Sequence, residues 1–187
     1  MRQPARLMSG PAFLRLACHT APRALAPRAV HTEARIKELG YSLPDMPVPL
    51  ASYTPFVRVG NMVYCSGHVP FKDLSVNKDL YRGKVGVDYT VEEAADIAKI
   101  IGLELVSTLQ KASGGDLDKV KRIVKLVGFV NCPDDFHNQP EVMNGCSDVI
   151  GEIFGEARGT HARSAVGTNS LPRQVPVEIE MIAELEG

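Results

Sequence analysis

Apolar positions along this chain recur with two periods, and each period marks a different element. Between residues 90 and 113, Ala94, Ala98, Ile101, Leu105 and Leu109 recur every three or four residues, with Ile97 beside them. That spacing places them on one stripe of an α-helix. Thr90 and Glu93 form a capping box at its start, and Gly114-Gly115 ends it. A second helix is predicted over about 141–154, where Val142, Cys146, Val149, Ile150 and Ile153 share a stripe and Gly155 caps. A short helix is predicted over 32–40, with Thr32 as its cap, Ile36 and Leu39 on one face and Gly40 as its stop.

The other period is two. Residues 55–67 hold two apolar runs around Gly60-Asn61, a hairpin signal. Ser66-Gly67 closes the second run. A glycine there lets backbone approach a ligand, and the hydroxyl beside it can donate; an ordinary strand-ending glycine has the same appearance. Residues 120–130 are β-branched and apolar, a strand buried on at least one face. Its Lys121, Arg122 and Lys125 form a solvated basic face or a contact for an acidic ligand. The stretch after the second long helix reads as two strands joined by a turn containing Pro172. His161, Arg163 and Ala165 share a face of the first. In the second, Val177, Ile179 and Met181 point one way and Glu178, Glu180 and Ile182 the other.

Residues 68–89 read as a long loop, with a short strand near 84–87. The order hairpin, helix, strand, helix, two strands predicts an α+β fold, with two helices on one face of a mixed sheet. The open face of such a sheet is apolar, and copies of the same chain are the economical cover for it.

Candidate chemistry sits in the last two strands. An arginine opening a small-residue run, with a glutamate on a partner strand, sets a fixed cation beside an acid. Arg163 and Glu178 can thus hold a carboxylate and handle a water. A surface ion pair on a sheet edge uses the same residues. Gly83-Lys84 is not a phosphate loop, because the surrounding glycine pattern is absent.

Charge divides the chain. Residues 1–31 carry Arg2, Arg6, Arg15, Arg23 and Arg28 and no acid. These five charges, taken from a net charge of −1, leave −6 for residues 32–187. The leader has no long apolar run and resembles a mitochondrial transit peptide without stable structure, which implies the matrix; a disordered basic tail has the same composition. Residues 32–49 form a helix and a Pro-rich lead-in, and 50–187 a single domain. No stretch approaches the ~18 apolar residues of a membrane span. Cys18, Cys65, Cys132 and Cys146 are widely spaced, without zinc-type clusters. Cys65 reads as a core residue of a strand.

Ser66-Gly67-His68-Val69-Pro70, the capped helix, the strand ending at Phe129-Val130, Ala162-Arg163-Ser164-Ala165-Val166, Leu171-Pro172 and Glu178-Ile179-Glu180 occur in the order and spacing of the RidA/YjgF family. The chain resembles these reactive intermediate (enamine/imine) deaminases, also called L-PSP endoribonucleases, over roughly residues 50–186, as a divergent subgroup. The resemblance implies a chorismate-mutase-like homotrimer with clefts between subunits. It implies hydrolysis of imines, formed from enamines such as 2-aminoacrylate, to 2-keto acids and ammonia, without metal or organic cofactor. Arg163 matches the carboxylate-binding arginine and Glu178 the acid that orients water. Tyr53, Ser66 and Gly67 match residues lining the cleft, and Ala165 offers its backbone N–H where many members have Cys. His68 replaces the usual Gln, and a family Asn maps near Asn144 across a longer segment at 136–144. Two other functions suit the family: RNA cleavage, which the −6 charge opposes, and non-catalytic binding of a small metabolite.

Overall fold

The computed structural model describes residues 31–46, 51–73 and 78–187. Apart from His31, the leader assigned above as a transit peptide lies outside the described residues. The elements are α1 (Thr32–Glu38), β1 (Phe56–Val59), β2 (Met62–His68), β3 (Phe71–Asp73), β4 (Lys78–Leu80), α2 (Val91–Ala112), β5 (Val120–Asn131), α3 (Gln139–Gly159), β6 (Ala162–Thr168) and β7 (Val177–Leu185). Five strands form one mixed sheet in the order β1-β2-β7-β5-β6, in which β5 and β6 run parallel and the other pairs antiparallel.

Periodicity located the main elements correctly. The hairpin turns at Gly60, whose φ of 59° is a left-handed value. Thr90 caps α2 through both halves of a capping box. α3 is interrupted at Gly155 (φ 70°), where the apolar stripe ends, and continues to Gly159. Two glycines let α2 and α3 cross in contact. A Cβ on Gly145 would lie 1.8 Å from the Ala95 carbonyl oxygen, and one on Gly102 2.6 Å from Val149 Cγ1. Both helices lie on one face of the sheet, over Val177, Ile179, Met181 and Ala183 of β7 and Ile123 and Leu126 of β5, all essentially inaccessible. Cys65 and Cys146 belong to this core, and burial pushes both thiols up to about 12.

Three expectations need correction. Thr32 is not the cap of α1 but its first helical residue; its N–H and hydroxyl donate to Asp118 at 2.9 and 2.6 Å. Residues 68–89 are not one loop. β3 and β4 form a separate two-stranded sheet over Phe71, Leu80 and Val175, while 84–87 contributes only an isolated bridge between Val85 and Tyr89. Finally, β6 and β7 are not partners, because β5 lies between them. Their connection must therefore cross the end of β5. It does so through a 3-10 turn at Pro172–Gln174, with Arg173 and Gln174 at positive φ. The side chain of Asn131, the last residue of β5, holds this crossing. Its amide donates to the carbonyls of Val175 (3.1 Å) and Gly83 (3.3 Å), and its Oδ1 accepts from Lys84 Nζ (2.7 Å).

One turn of α2 carries polar side chains inward. Ser107 donates to the Pro44 carbonyl at 2.7 Å, and Thr108 bonds His68 Nε2 at 2.8 Å. Glu104 is fully buried, and its Oε1 accepts from the Phe71 N–H at 3.2 Å. Its Oε2 has no hydrogen-bond partner among the described residues. Burial pushes this carboxyl up to about 8, so it is neutral in the fold at neutral pH. An unfolded chain releases that proton near the ordinary value of 4.5, so the folded state is penalised as pH rises from about 4.5 to about 8. The melting temperature is expected to fall by several degrees across that window. Glu104→Gln, neutral at every pH, should flatten the fall; parallel slopes for both proteins in calorimetry would remove this role.

Candidate functional site

Two groups of candidate residues lie on opposite faces of the sheet. Glu178, Gly67 and Ser66 form the first. The register between β2 and β7 pairs Cys65 with Met181 and His68 with Ile179, so β2 carries one extra residue at Ser66-Gly67. This is a β-bulge, which bends a strand and redirects its side chains. Ser66 Oγ donates to the Thr54 carbonyl at 2.7 Å and its N–H to the Pro55 carbonyl at 2.9 Å. Those bonds tie the bulge to the segment bearing Tyr53, whose side chain is half exposed. His68 locks the bulge from inside. The Ser66 carbonyl can only accept, so His68 Nδ1 donates to it (2.8 Å) and Nε2 accepts from the Thr108 hydroxyl. Burial lowers the pKa of this imidazole, which keeps it neutral. His68 is thus a buried brace for the bulge.

Glu178 lies over the bulge on the open face of the sheet. A Cβ on Gly67 would fall 2.0 Å from its Oε1, so glycine is what makes room for the carboxylate. None of the described hydrogen bonds or ion pairs engages this carboxylate. Burial raises its pKa, and the neighbouring Glu180 raises it further. A half-buried acid with a raised pKa and free oxygens can take a proton from water and return it. Beside it on the same face, Val57, Tyr64, Ser66, Lys125, Val127 and Glu180 line a groove of about 290 Å³.

Arg163 and Ala165 form the second group, on the helix face of the edge strand β6. Arg163 sits opposite Leu126, which sits opposite Met181, and both of those are buried under the helices. Glu178, by contrast, sits opposite Phe129 on the other face. Within one chain the expected Arg163–Glu178 pair therefore does not form: two strand spacings and the thickness of the sheet separate them. The sheet order, invisible in the local spacing, is the reason.

Arg163 is instead held by α3. Its Nη1 donates to Asn144 Oδ1 and Ser147 Oγ, both at 3.0 Å, and its Nη2 to the Pro140 carbonyl at 3.2 Å. A guanidinium has five N–H donors in a planar fork. Three are used here, and Nε–H and one Nη2 N–H carry no hydrogen bond among the described residues. Two adjacent donors are what a carboxylate needs for bidentate binding. Asn144, which the sequence only suggested, is thereby placed at the site. Ser147 and His161 complete the cluster, with Ser147 Oγ 3.1 Å from His161 Nε2. Their spacing of 14 residues, from the middle of α3 to the residue before β6, gives no local signal.

Gly67→Ala tests the bulge. The carboxylate is the flexible end of its side chain and can be displaced, so the fold should survive with a loss of about 1–3 kcal/mol. Once displaced into solvent, Glu178 should titrate closer to an ordinary glutamate. Carboxyl NMR titration showing an unchanged Glu178 in the variant would rule out the close packing described.

Comparison with known proteins gives consistent matches. The profile of the YjgF/chorismate mutase-like, putative endoribonuclease family matches residues 33–185. Protein TCP17 of Trypanosoma cruzi is 40% identical over 152 residues, covering 81% of this chain and 92% of that protein. A 2-iminobutanoate/2-iminopropanoate deaminase from Dermatophagoides farinae is 30% identical over 145 residues, covering 78% of this chain and 94% of that protein. Among solved structures, a protein of unknown function from Agrobacterium tumefaciens superposes with a TM-score of 0.74 at 39% identity, over 83% of this chain and 94% of its own. A crystal structure from Shewanella oneidensis, bearing the same endoribonuclease designation, superposes with a TM-score of 0.77 at 32% identity, over 83% of this chain and all of its own.

Proposed function

Because this chain belongs to the RidA/YjgF family, we propose that it hydrolyses reactive imines, the tautomers of enamines such as 2-aminoacrylate, to 2-keto acids and ammonia. The observation that carries this reading is the anchored guanidinium of Arg163, with three donors fixed by α3 and two left for a carboxylate. The deaminase from Dermatophagoides farinae supports the same reaction class.

In this mechanism Arg163 binds the substrate carboxylate at two points, which fixes the C=N carbon in space. Glu178 orients a water and accepts its proton as the oxygen adds to that carbon. Addition to the protonated imine gives a neutral carbinolamine. Glu178 returns its proton to the carbinolamine nitrogen, a task suited to an acid whose burial raises its pKa. It takes up the hydroxyl proton as the C–N bond breaks, the C=O forms and ammonia leaves; ammonia carries that last proton away as ammonium. An imine is already electrophilic, so positioning is the main contribution asked of the protein. Tyr53, Ser66 and Gly67 line the cleft on the Glu178 side, and the Ala165 backbone N–H lies on the Arg163 side.

This chemistry requires two copies of the chain. The open face carries exposed Val57, Tyr64 and Val166, which supports self-association. In a homotrimer with clefts between subunits, Arg163 of one copy approaches Glu178 of the next. The acid-free leader supports a mitochondrial matrix location for the assembly.

The test is ammonia and keto-acid release from 2-aminoacrylate generated in situ by a dehydratase. Arg163→Lys keeps the charge but removes the fork, and should lower kcat/KM at least about 100-fold. Glu178→Gln should lower kcat with little change in KM. Wild-type turnover in both variants would rule the mechanism out. RNA cleavage that persists through purification, in place of deamination, would favour the endoribonuclease designation; saturable keto-acid binding without turnover would favour a metabolite-binding role.

A further inference from the structure

Behind Arg163 runs a chain of hydrogen bonds from the Gly159 carbonyl through His161 and Ser147 to the guanidinium. The Gly159 carbonyl lies 2.6 Å from His161 Nδ1 and can only accept, so Nδ1 carries the ring proton. When the ring is uncharged, Nε2 is an acceptor, and the Ser147 hydroxyl 3.1 Å away donates to it. With its hydrogen committed to the imidazole, the Ser147 oxygen turns its lone pairs to Arg163 Nη1 at 3.0 Å. A serine hydroxyl otherwise rotates freely. The imidazole removes that freedom.

The consequence is geometric. Asn144 and Ser147 lie one turn apart on α3 and together occupy both hydrogens of Nη1. One acceptor leaves a guanidinium able to pivot; two acceptors on one nitrogen, with Pro140 on the other, fix its plane. Arg163 needs this bracing because it stands on an edge strand, with no neighbouring strand beyond it among the described residues. The arrangement is unsuited to a serine nucleophile, since an oxygen that accepts from a cation is a poorer electron donor. It is well suited to orienting that cation.

We propose that Ser147 and His161 are positioning residues for Arg163, locking its guanidinium against α3 so that the remaining two-donor edge is preformed as a carboxylate fork. What the fork binds rests on the function proposed above; the locking itself does not. The locked cation determines substrate class by geometry, favouring planar carboxylates that take two parallel hydrogen bonds.

The experiment pairs kinetics with a readout that needs no turnover. Full-length protein labelled with 15N-arginine is compared as wild type, Ser147→Ala, Ser147→Thr, His161→Phe and His161→Gln. Wild type should show separate Nη signals for Arg163, because a braced guanidinium rotates slowly. Ser147→Ala and His161→Phe should merge those signals and raise KM about tenfold with kcat within about twofold, as expected for loss of one charge-assisted bond in ground and transition state alike. Ser147→Thr keeps the hydroxyl and His161→Gln keeps an acceptor near Nε2, so both should restore signals and KM. Unchanged signals and KM in Ser147→Ala, or no restoration by either conservative variant, overturns the proposal. Should Ser147→Ala fail to fold, the His161 pair alone decides it. If wild type neither turns over imines nor binds pyruvate, yet the Arg163 signals follow this pattern, the deaminase reading fails and the positioning role stands.

Discussion

The structure depends on where its last strand goes. β7 inserts between β2 and β5, so the final strand of the chain becomes the centre of the sheet. Its alternation is strict: Val177, Ile179, Met181, Ala183 and Leu185 are buried beneath the helices, while Glu178, Glu180, Ile182 and Glu184 face the open side. A one-residue slip would exchange these sets and bury three acids of β7, so the register is strongly specified. The cost of the insertion is a connection that must leave β6 at the edge and cross the end of β5. Asn131 and Lys84 satisfy the backbone carbonyls that this crossing would otherwise leave unpaired.

That topology also explains why the candidate site is split. Arg163 stands on the helix face at the edge, where α3 can brace it, and Glu178 stands on the open face at the centre, where the bulge of β2 makes room for it. No side-chain rotation brings a residue through a sheet. A cation and an acid so placed either act separately or meet through a second copy of the chain. The case for self-association in the proposed mechanism thus rests on the sheet order more directly than on the apolar open face.

Most local structure was legible in the sequence because it is set by local physics. The capping box of Thr90 and Glu93, the turn at Gly60-Asn61 and the stripe from Val142 to Ile153 each needed only neighbouring residues. The strand order was not legible: β6 and β7 are consecutive in sequence, and nothing in their spacing says that β5 separates them. β3 and β4 were missed because each has only three residues, too few for a period. At the site, Arg163, Glu178, Ser66 and Gly67 stood out in the strand pattern and took their roles from the resemblance. His161 was placed on the Arg163 face, whereas Ser147 and its bond to His161 were hidden. Ser147 looks like an ordinary polar residue until α3 folds back onto β6.

The buried polar turn of α2 shows how the apolar stripe alone understates what a helix does. Glu104, Ser107 and Thr108 occupy positions three and four apart, so they share one side of the helix. Each reaches a different irregular segment: the start of β3 at Phe71, the lead-in at Pro44, and the bulge through His68. Apolar contacts could pack those segments but would leave their polar groups unsatisfied and their positions loosely defined. Of the three, the bond to His68 bears most on function, because His68 in turn holds the Ser66 carbonyl and so fixes the backbone of Gly67 under Glu178. The position of the candidate general base is therefore set, through two side chains, by the rigid middle of the longest helix.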